Sequence, residues 1–385
     1  MSSRTTVSRK ASRMTLRFAA SVLVLALMVF AVGAVYSLET QQTERGKADF
    51  RVSYHFYLKN EGPIDLTSVT VRLALLKDWI PVQTVEDLAI DTFPNQTTTD
   101  IYENEFVWYD YRDFKVNQSI DLWFHANLTL PFVDYASADL PITPYNTELD
   151  IYKLYTAFEP LADSTDPSIR NVAQSLEVLN DPLGTAFNLY NFTASFLDYR
   201  LMSSTKGASY ALRNGVGDCD EYTYLFVALS RSLGIPAVEH TAWLADFAPG
   251  FVTSDEGAVA HAYPMFYIEG VGLVPADPTR GKSSIFDNWL RTDYKRITLT
   301  RGPDNPYRLL RYRWLPIEGL PDPSVFSNYT IIIHDVNIQY TSILRNIILV
   351  SLVGIPVVFG MANVLNGYQL RQLQKKKLEE LLSPG

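Results

Sequence analysis

Three residues of this sequence have side chains that together can carry out acyl transfer. Cys219 is the only cysteine of the chain, and His261 and Asp277 follow it. A thiol can attack a carbonyl carbon, an imidazole can take up and return the thiol proton, and a carboxylate can fix the imidazole tautomer. The residue types therefore predict nucleophilic catalysis through a thioester.

The segment around Cys219 predicts a helix that begins at the thiol. Asp218 is a suitable N-cap, and the apolar residues after it keep helical spacing. The positive end of the helix dipole lowers the pKa of a thiol from its ordinary value of about 8.5. The negative charges of Asp218, Asp220 and Glu221 oppose this effect on the thiol pKa. We therefore expect the thiolate to form as an ion pair with His261.

A hairpin is predicted to bring the imidazole and the carboxylate together. His261 and Asp277 are 16 residues apart, with Glu269-Gly270 at the midpoint. In a regular antiparallel pair with its turn there, the two residues would be directly opposite, with Cα atoms about 4.5 to 5.5 Å apart. Pro264 and Pro275 lack amide donors, so we expect an edge strand or a bulge nearby.

These motifs resemble the transglutaminase-like superfamily. The resemblance rests on Gly217-Asp218-Cys219 at the start of a helix ending in Leu-Gly-Ile-Pro-Ala, on His261-Ala-Tyr, and on Ala-Asp277-Pro-Thr, and it covers about residues 150–279. It implies a papain-like α+β fold whose Cys helix packs against an antiparallel sheet. It also implies that Cys219 is the nucleophile, His261 the general base and acid, and Asp277 the residue that orients the imidazole.

The oxyanion donor and the reaction type stay open. The Gln that animal members of this superfamily use is not evident before Cys219, so Tyr210, Asn214 or backbone amides are the candidates. Because the superfamily contains peptidases, amidases, cross-linking enzymes and inactive relatives, two functions are considered. One is a membrane-anchored, outward-facing thiol enzyme that acts on a protein or peptide at the cell surface, by hydrolysis or transamidation. The other is an inactive cell-surface binding or assembly module.

The flanking segments predict two further folded parts. Residues 47–135 alternate apolar and polar residues between turn-forming segments, which predicts an antiparallel β-sandwich. Residues 148–340 form the predicted transglutaminase-like domain with a C-terminal extension, and helices are expected after Asp166-Pro167 and Asp181-Pro182. The aromatic-rich residues 280–329 cover either the core or a substrate groove. The four remaining histidines are interpreted as structural, since His55 and His125 have no companions at metal-ligand spacing, and His240 and His334 each stand alone on a predicted strand.

Two apolar runs predict membrane-spanning helices. Residues 18–35 and 347–364 each contain 18 residues without a charge, about 27 Å as a helix, and predict spans over 18–38 and 345–365. Basic residues flank both runs, in segments 1–17 and 366–385, which predicts that both ends are cytoplasmic. We favour a retained anchor over a cleaved signal peptide for the first run, because its basic region is long and its cleavage pattern is poor.

The segment between the two runs is acidic and rich in glycosylation sequons. The overall charge of −9, with +5 in residues 1–17 and +2 in residues 366–385, leaves −16 for the remainder, which disfavours nucleic acid as a partner. No cofactor motif or metal-ligand pattern is found, and no pattern defines an oligomeric state. A cell-membrane location with an extracytoplasmic ectodomain is expected from the runs and from five Asn-x-Ser/Thr sequons: Asn95, Asn117, Asn127, Asn191 and Asn328.

Overall fold

Alternation of apolar and polar side chains produces the strands that make up most of this protein. In the first strand Val52, Tyr54 and Phe56 are fully buried, and the residues between them face the other side of the sheet. The computed structural model describes residues 46–136, 138–245, 258–280, 288–293, 295–303 and 309–340. The predicted tails 1–17 and 366–385 and the predicted spans 18–38 and 345–365 lie outside these residues.

The described residues contain sixteen strands and five α-helices. The strands are β1 Gly46–Asn60, β2 Leu66–Ala74, β3 Thr84–Ile90, β4 Gln96–Thr99, β5 Glu105–Phe114, β6 Ser119–Pro131, β7 Val133–Asp134, β8 Asp198–Tyr199, β9 Val216–Gly217, β10 Ala237–Ala245, β11 Ala258–Ile268, β12 Gly272–Pro275, β13 Arg291–Thr292, β14 Arg296–Arg301, β15 Leu309–Trp314 and β16 Val325–Tyr340. The helices are α1 Asp150–Thr156, α2 Pro167–Leu176, α3 Pro182–Phe196, α4 Ala208–Asn214 and α5 Cys219–Ser232, with a 3₁₀ turn at Pro278–Arg280.

Two four-stranded sheets form a sandwich around a common apolar core. One has the strand order β16-β1-β6-β3 and the other β15-β2-β5-β4. Strands β1 and β6 pair antiparallel along nearly their whole length, from Lys47 opposite Pro131 to Lys59 opposite Ser119. Side chains from both sheets, among them Phe56 and Val71, share one buried cluster. The predicted strands of residues 47–135 are therefore antiparallel and packed face to face.

The last two strands belong to this sandwich. The sequence assigned residues 309–340 to an extension of the second domain, and left open what the aromatic-rich segment covers. In the structure β15 pairs antiparallel with β2, and β16 is the neighbour of β1. Tyr312, Trp314 and Tyr329 pack against the sandwich core. These aromatic residues thus cover the core of the first domain.

A third sheet carries the candidate site. Its strand order is β12-β11-β10-β14, and all its pairs are antiparallel. On one face Phe266 and Val274 pack against Phe226 of α5. On the other face Trp243 and Ile297 join the core of the sandwich. The sheet is therefore buried between the helices and the sandwich, and Gly46–Gln339 forms one compact unit.

The helices begin where local sequence signals predict. Asp166 accepts a hydrogen bond from the Ser168 amide (2.8 Å), and Asp181 accepts one from the Gly184 amide (2.8 Å), each directly before a proline at the first helical position. None of the helices in the described ranges is long and apolar enough to cross a membrane.

Candidate active site

The thiol lies at the first residue of α5, held there by a capping box. The Asp218 side chain accepts a hydrogen bond from the Asp220 amide (3.2 Å), and Glu221 accepts one from the Asp218 amide (3.1 Å). Gly217 has no room for a side chain, since a Cβ there would be 2.2 Å from Cβ of Glu221. These local contacts fix the start of the helix and hence the position of Cys219.

The surroundings of Cys219 disfavour a free thiolate. Burial raises the pKa of the thiol to about 12, and the negative charge of Asp220 adds to this shift. The backbone amide of Ala262 donates a hydrogen bond to the sulfur and acts in the opposite direction. The helix dipole therefore does not lower the pKa of this half-buried thiol below its ordinary value, because desolvation and carboxylate charge outweigh it.

The imidazole and the carboxylate meet as predicted, but in a different register. His261 Nε2 and Asp277 Oδ2 are 2.8 Å apart, and both side chains are buried. The hairpin pairs Ile268 with Gly272 and Met265 with Pro275, so His261 and Asp277 are not directly opposite each other. The expectation of opposite neighbours is wrong by two residues. The side chains still meet because diagonal neighbours on one face of a sheet are within reach of each other.

Asp277 is surrounded by hydrogen-bond donors. Besides His261, Arg296 Nη2 donates to Asp277 Oδ2 (2.8 Å), and the Thr279 amide donates to Oδ1 (3.1 Å). Burial alone would raise the pKa of this carboxyl group, but His261 and Arg296 hold it well below its usual range. The carboxylate is therefore ionised and fixed in orientation, as the predicted role of orienting the imidazole requires.

The three predicted catalytic residues come together at one end of the third sheet. The amide that contacts the Cys219 sulfur belongs to Ala262, the neighbour of His261 on β11. Because Nε2 of His261 is engaged with Asp277, the other ring nitrogen, Nδ1, is the one left for the thiol proton. The structure thus places on neighbouring segments the thiol, the imidazole and the carboxylate that acyl transfer needs.

Comparison with known proteins agrees with this geometry. Residues 170–278 match the model of the transglutaminase-like superfamily. The chain contains a transglutaminase-like domain. The matched range includes α5, the β11–β12 hairpin and all three residues of the candidate triad. No curated protein matches the sequence.

The fold of this domain and its surroundings is also found in a solved structure. A "putative cysteine protease" from Cytophaga hutchinsonii superposes with a TM-score of 0.54 at 14% identity, covering 76% of this chain and 93% of that chain. This likeness shows a shared fold that extends beyond residues 170–278. A "putative protease" from Parabacteroides distasonis is 11% identical, with a TM-score of 0.23 over 55% of this chain and 41% of that chain, too low to bear on the fold.

The two side chains proposed for the oxyanion hole lie on α4. Asn214 is exposed and donates its Nδ2 to the carbonyl oxygen of Tyr210 (2.8 Å), within the same helix. The Tyr210 side chain is half-buried. The Asn214 amide therefore makes its hydrogen bond within α4.

Arg296 and Tyr199 are parts of the site that sequence reasoning missed. Arg296 contacts Asp277 from β14, and β10 lies between β14 and the hairpin. Tyr199 lies opposite Gly217 in the pairing of β8 with β9, close enough to Cys219 for the two groups to interact electrostatically, and the residue is 54% exposed. No local motif marks either residue, because both reach the site through pairing between distant segments.

Among the described residues one group has the ligand types for a metal ion. Side-chain ligand atoms of Asp218, Cys219 and Asp220 lie within 4.8 Å of one another. Asp218 already accepts from the amides of Asp220 and Met202, and Asp220 accepts from the Thr205 hydroxyl (2.6 Å). Capping and loop contacts therefore account for these carboxylates.

The remaining histidines have local partners. His55 contacts Asp121 (2.9 Å) and stacks on Trp123, while His125 and His334 both contact the Ser53 hydroxyl (2.8 and 3.3 Å). His240 is buried between Trp79 and Tyr263, and burial holds its pKa well below the usual value. Of the sequon asparagines, Asn191 is half-buried in α3, and the other four are exposed: Asn95, Asn117, Asn127 and Asn328.

Proposed function

We propose that this protein is a thiol enzyme that cleaves or exchanges amide or peptide bonds through a thioester on Cys219. The observation that carries this proposal is the buried hydrogen bond between His261 and Asp277, made by the residue next to Ala262, whose amide contacts the thiol. A carboxylate bonded to one ring nitrogen leaves the other to act as a base toward a neighbouring nucleophile. The superfamily match over residues 170–278 and the fold shared with the Cytophaga structure support a cysteine-dependent enzyme.

The proposed reaction has two halves. In the first, the Cys219 sulfur attacks the carbonyl carbon while its proton moves to Nδ1 of His261. The carbon–nitrogen bond then breaks, and the imidazole gives this proton to the leaving amine. In the second half, water or another amine attacks the thioester, loses its proton to His261 and releases Cys219. Water gives hydrolysis and an amine gives transamidation.

Backbone amides are the best-supported oxyanion donors. Cys219 is the first residue of α5, so its amide has no acceptor within the helix, and the dipole at this end favours negative charge. The Ala262 amide lies against the sulfur. These two groups replace the side chains of Tyr210 and Asn214 in our proposal.

One observation favours the second candidate function, an inactive surface module. Burial and Asp220 raise the thiol pKa to about 12, which is what a packed, unused cysteine would also show. In an active enzyme this thiol ionises only by giving its proton to His261. The two candidates therefore differ in whether the reactivity of Cys219 depends on His261.

Acyl transfer to the purified full-length protein tests the proposal. Incubation with p-nitrophenyl acetate should add one acetyl group to Cys219, detectable by peptide mass spectrometry. The adduct should disappear in Cys219→Ala and fall at least about a hundredfold in rate in His261→Ala. His55→Ala is the control, because His55 has an aspartate partner in the sandwich. A wild-type protein that neither keeps an adduct nor releases p-nitrophenolate faster than Cys219→Ala, or a His261→Ala variant that acylates equally fast, would favour the binding module.

We further propose that the enzyme is anchored in a membrane by residues 18–38 and 345–365 and acts outside the cytoplasm on a protein or peptide. The basic segments beside both apolar runs support this orientation, as do the four exposed sequon asparagines. In cells, sequon occupancy at Asn95 or Asn328 reports the location. A chain that carries no glycan in a glycosylating host, together with protection of residues 46–340 from external protease, would contradict it.

A further inference from the structure

We propose that Arg296 is a positioning residue that limits how strongly Asp277 stabilises the protonated imidazole of His261. This inference rests on the proposed thiol chemistry. Its basis is a single oxygen atom: Asp277 Oδ2 lies 2.8 Å from His261 Nε2 and 2.8 Å from Arg296 Nη2. One carboxylate oxygen is thus shared by the residue that must gain and lose a proton and by a permanent cation.

Several contacts hold the guanidinium in place. The Arg296 side chain is 2% exposed, and its Nη1 donates to Asp293 Oδ1 (2.6 Å). Its Cζ lies 5.6 Å from the centre of the Tyr263 ring, and the Tyr263 hydroxyl contacts Thr298 (2.9 Å). A buried arginine with two carboxylate partners and an aromatic neighbour has a fixed position. It cannot swing away when His261 becomes charged.

The shared oxygen has an electrostatic consequence. When His261 takes up the thiol proton, two cations face one carboxylate, and their nitrogens are within about 5.6 Å of each other because each is 2.8 Å from Oδ2. Their repulsion disfavours the thiolate–imidazolium pair. An imidazolium that is held less tightly also returns its proton more readily to the leaving amine. Arg296 thus lowers the ionised fraction of the thiol in the resting enzyme. It also makes the imidazolium a stronger acid in the step that breaks the amide.

Removing the positive charge of Arg296 and removing the negative charge of Asp293 should change the reactivity of the Cys219 thiol in opposite directions. The measurement is the rate of alkylation of Cys219 by iodoacetamide at pH 7 in the full-length protein. Arg296→Met should alkylate about tenfold faster, because the imidazolium loses a repelling neighbour. Asp293→Asn should alkylate about threefold more slowly, because the charge of Arg296 then loses one of its counterions. Arg296→Lys keeps the charge and should restore the rate to within about threefold of wild type.

Arg51→Met is the matched control, since Arg51 is an exposed arginine on β1 of the sandwich, and the alkylation rate of this variant should equal that of wild type. Slower alkylation in Asp293→Asn, opposite to the faster alkylation in Arg296→Met, separates this role from a structural one, because a loosened site exposes the half-buried thiol and speeds alkylation in both variants. If Arg296→Met does not fold, as judged by circular dichroism, Asp293→Asn decides: a rate equal to or faster than wild type overturns the inference.

His261→Ala in the same assay separates the two proposals. If it leaves the alkylation of Cys219 unchanged, the proposed thiol chemistry fails, and the inference fails with it. If it slows alkylation while Arg296→Met and Asp293→Asn both match wild type, the enzyme proposal stands and only the role of Arg296 is overturned.

Discussion

Asp277 is the residue whose charge state controls the electrostatics of the site. Burial opposes ionisation of its carboxyl group, yet His261 and Arg296 hold its pKa well below the usual range. A carboxyl group with a depressed pKa in the folded state contributes stability above its ordinary pKa of 3.8 and loses it as the pH falls. At neutral pH the carboxylate is therefore fully available to accept a hydrogen bond from Nε2 of His261.

Replacing this carboxylate by an amide should disable the thiol while leaving the shape of the site intact. Asp277→Asn keeps the volume but removes the charge that fixes the His261 tautomer, so acetylation of Cys219 by p-nitrophenyl acetate should slow about 10²- to 10⁴-fold. Asp121→Asn is the control, because Asp121 makes an equivalent bond to His55 in the sandwich (2.9 Å). An Asp277→Asn protein that is acetylated as fast as the Asp121→Asn protein would refute the orienting role.

Helix α5 and strand β10 are joined by a buried polar network. The Tyr224 hydroxyl donates to Glu239 Oε1 (2.9 Å), and Glu159 lies 3.1 Å from Arg231. Burial and the charge of Glu159 raise the pKa of Glu239 to about 8. An acid whose pKa is raised in the folded state contributes stability below its ordinary pKa of 4.5, and this contribution is lost as the pH rises toward 8.

The free energy of unfolding should therefore decrease as the solution becomes more alkaline. Between pH 6 and pH 8.5 we expect the full chain in detergent to lose about 2 to 3 kcal/mol, because the unfolded state releases the Glu239 proton more easily. Glu239→Gln should remove most of this loss, while Glu148→Gln, at an exposed position, should keep it. Urea unfolding at the two pH values gives the comparison, and equal pH dependence in all three proteins would contradict the assignment.

Elements defined by local contacts could be predicted from the sequence, but their pairing only in part. Asp166, Asp181 and Asp218 cap helices as expected, since a cap depends only on residues within one turn. The β11–β12 hairpin was also expected. Its register differs because the turn includes Val271, and Gly270 and Gly272 both adopt positive φ angles (79° and 110°). Glycine permits more than one turn, so the sequence could not select the register.

At the scale of the whole molecule, pairing between distant segments decides the architecture. Strands β15 and β16 return to the sandwich after the entire transglutaminase-like domain, where they pair with β2 and lie next to β1. Their aromatic residues suggested coverage of some apolar surface, but not which one. Arg296 reaches Asp277 for a similar reason, since strand order in the third sheet places β14 beside β10. Neither juxtaposition has a signal within a local window of sequence.

Because the third sheet shares the sandwich core, the two parts should unfold together. Ile297 lies on β14, is fully buried and packs in the sandwich cluster, so Ile297→Ala should lower the free energy of unfolding by about 2 to 4 kcal/mol. Ile317→Ala, at a position 53% exposed, should change it by less than about 0.5 kcal/mol. In urea, far-ultraviolet circular dichroism follows all the strands, whereas labelling of Cys219 follows the site. The two signals should have the same urea midpoint, and Ile297→Ala should shift both midpoints equally. If Ile297→Ala shifts the midpoint of the dichroism but not that of Cys219 labelling, the site folds independently of the sandwich.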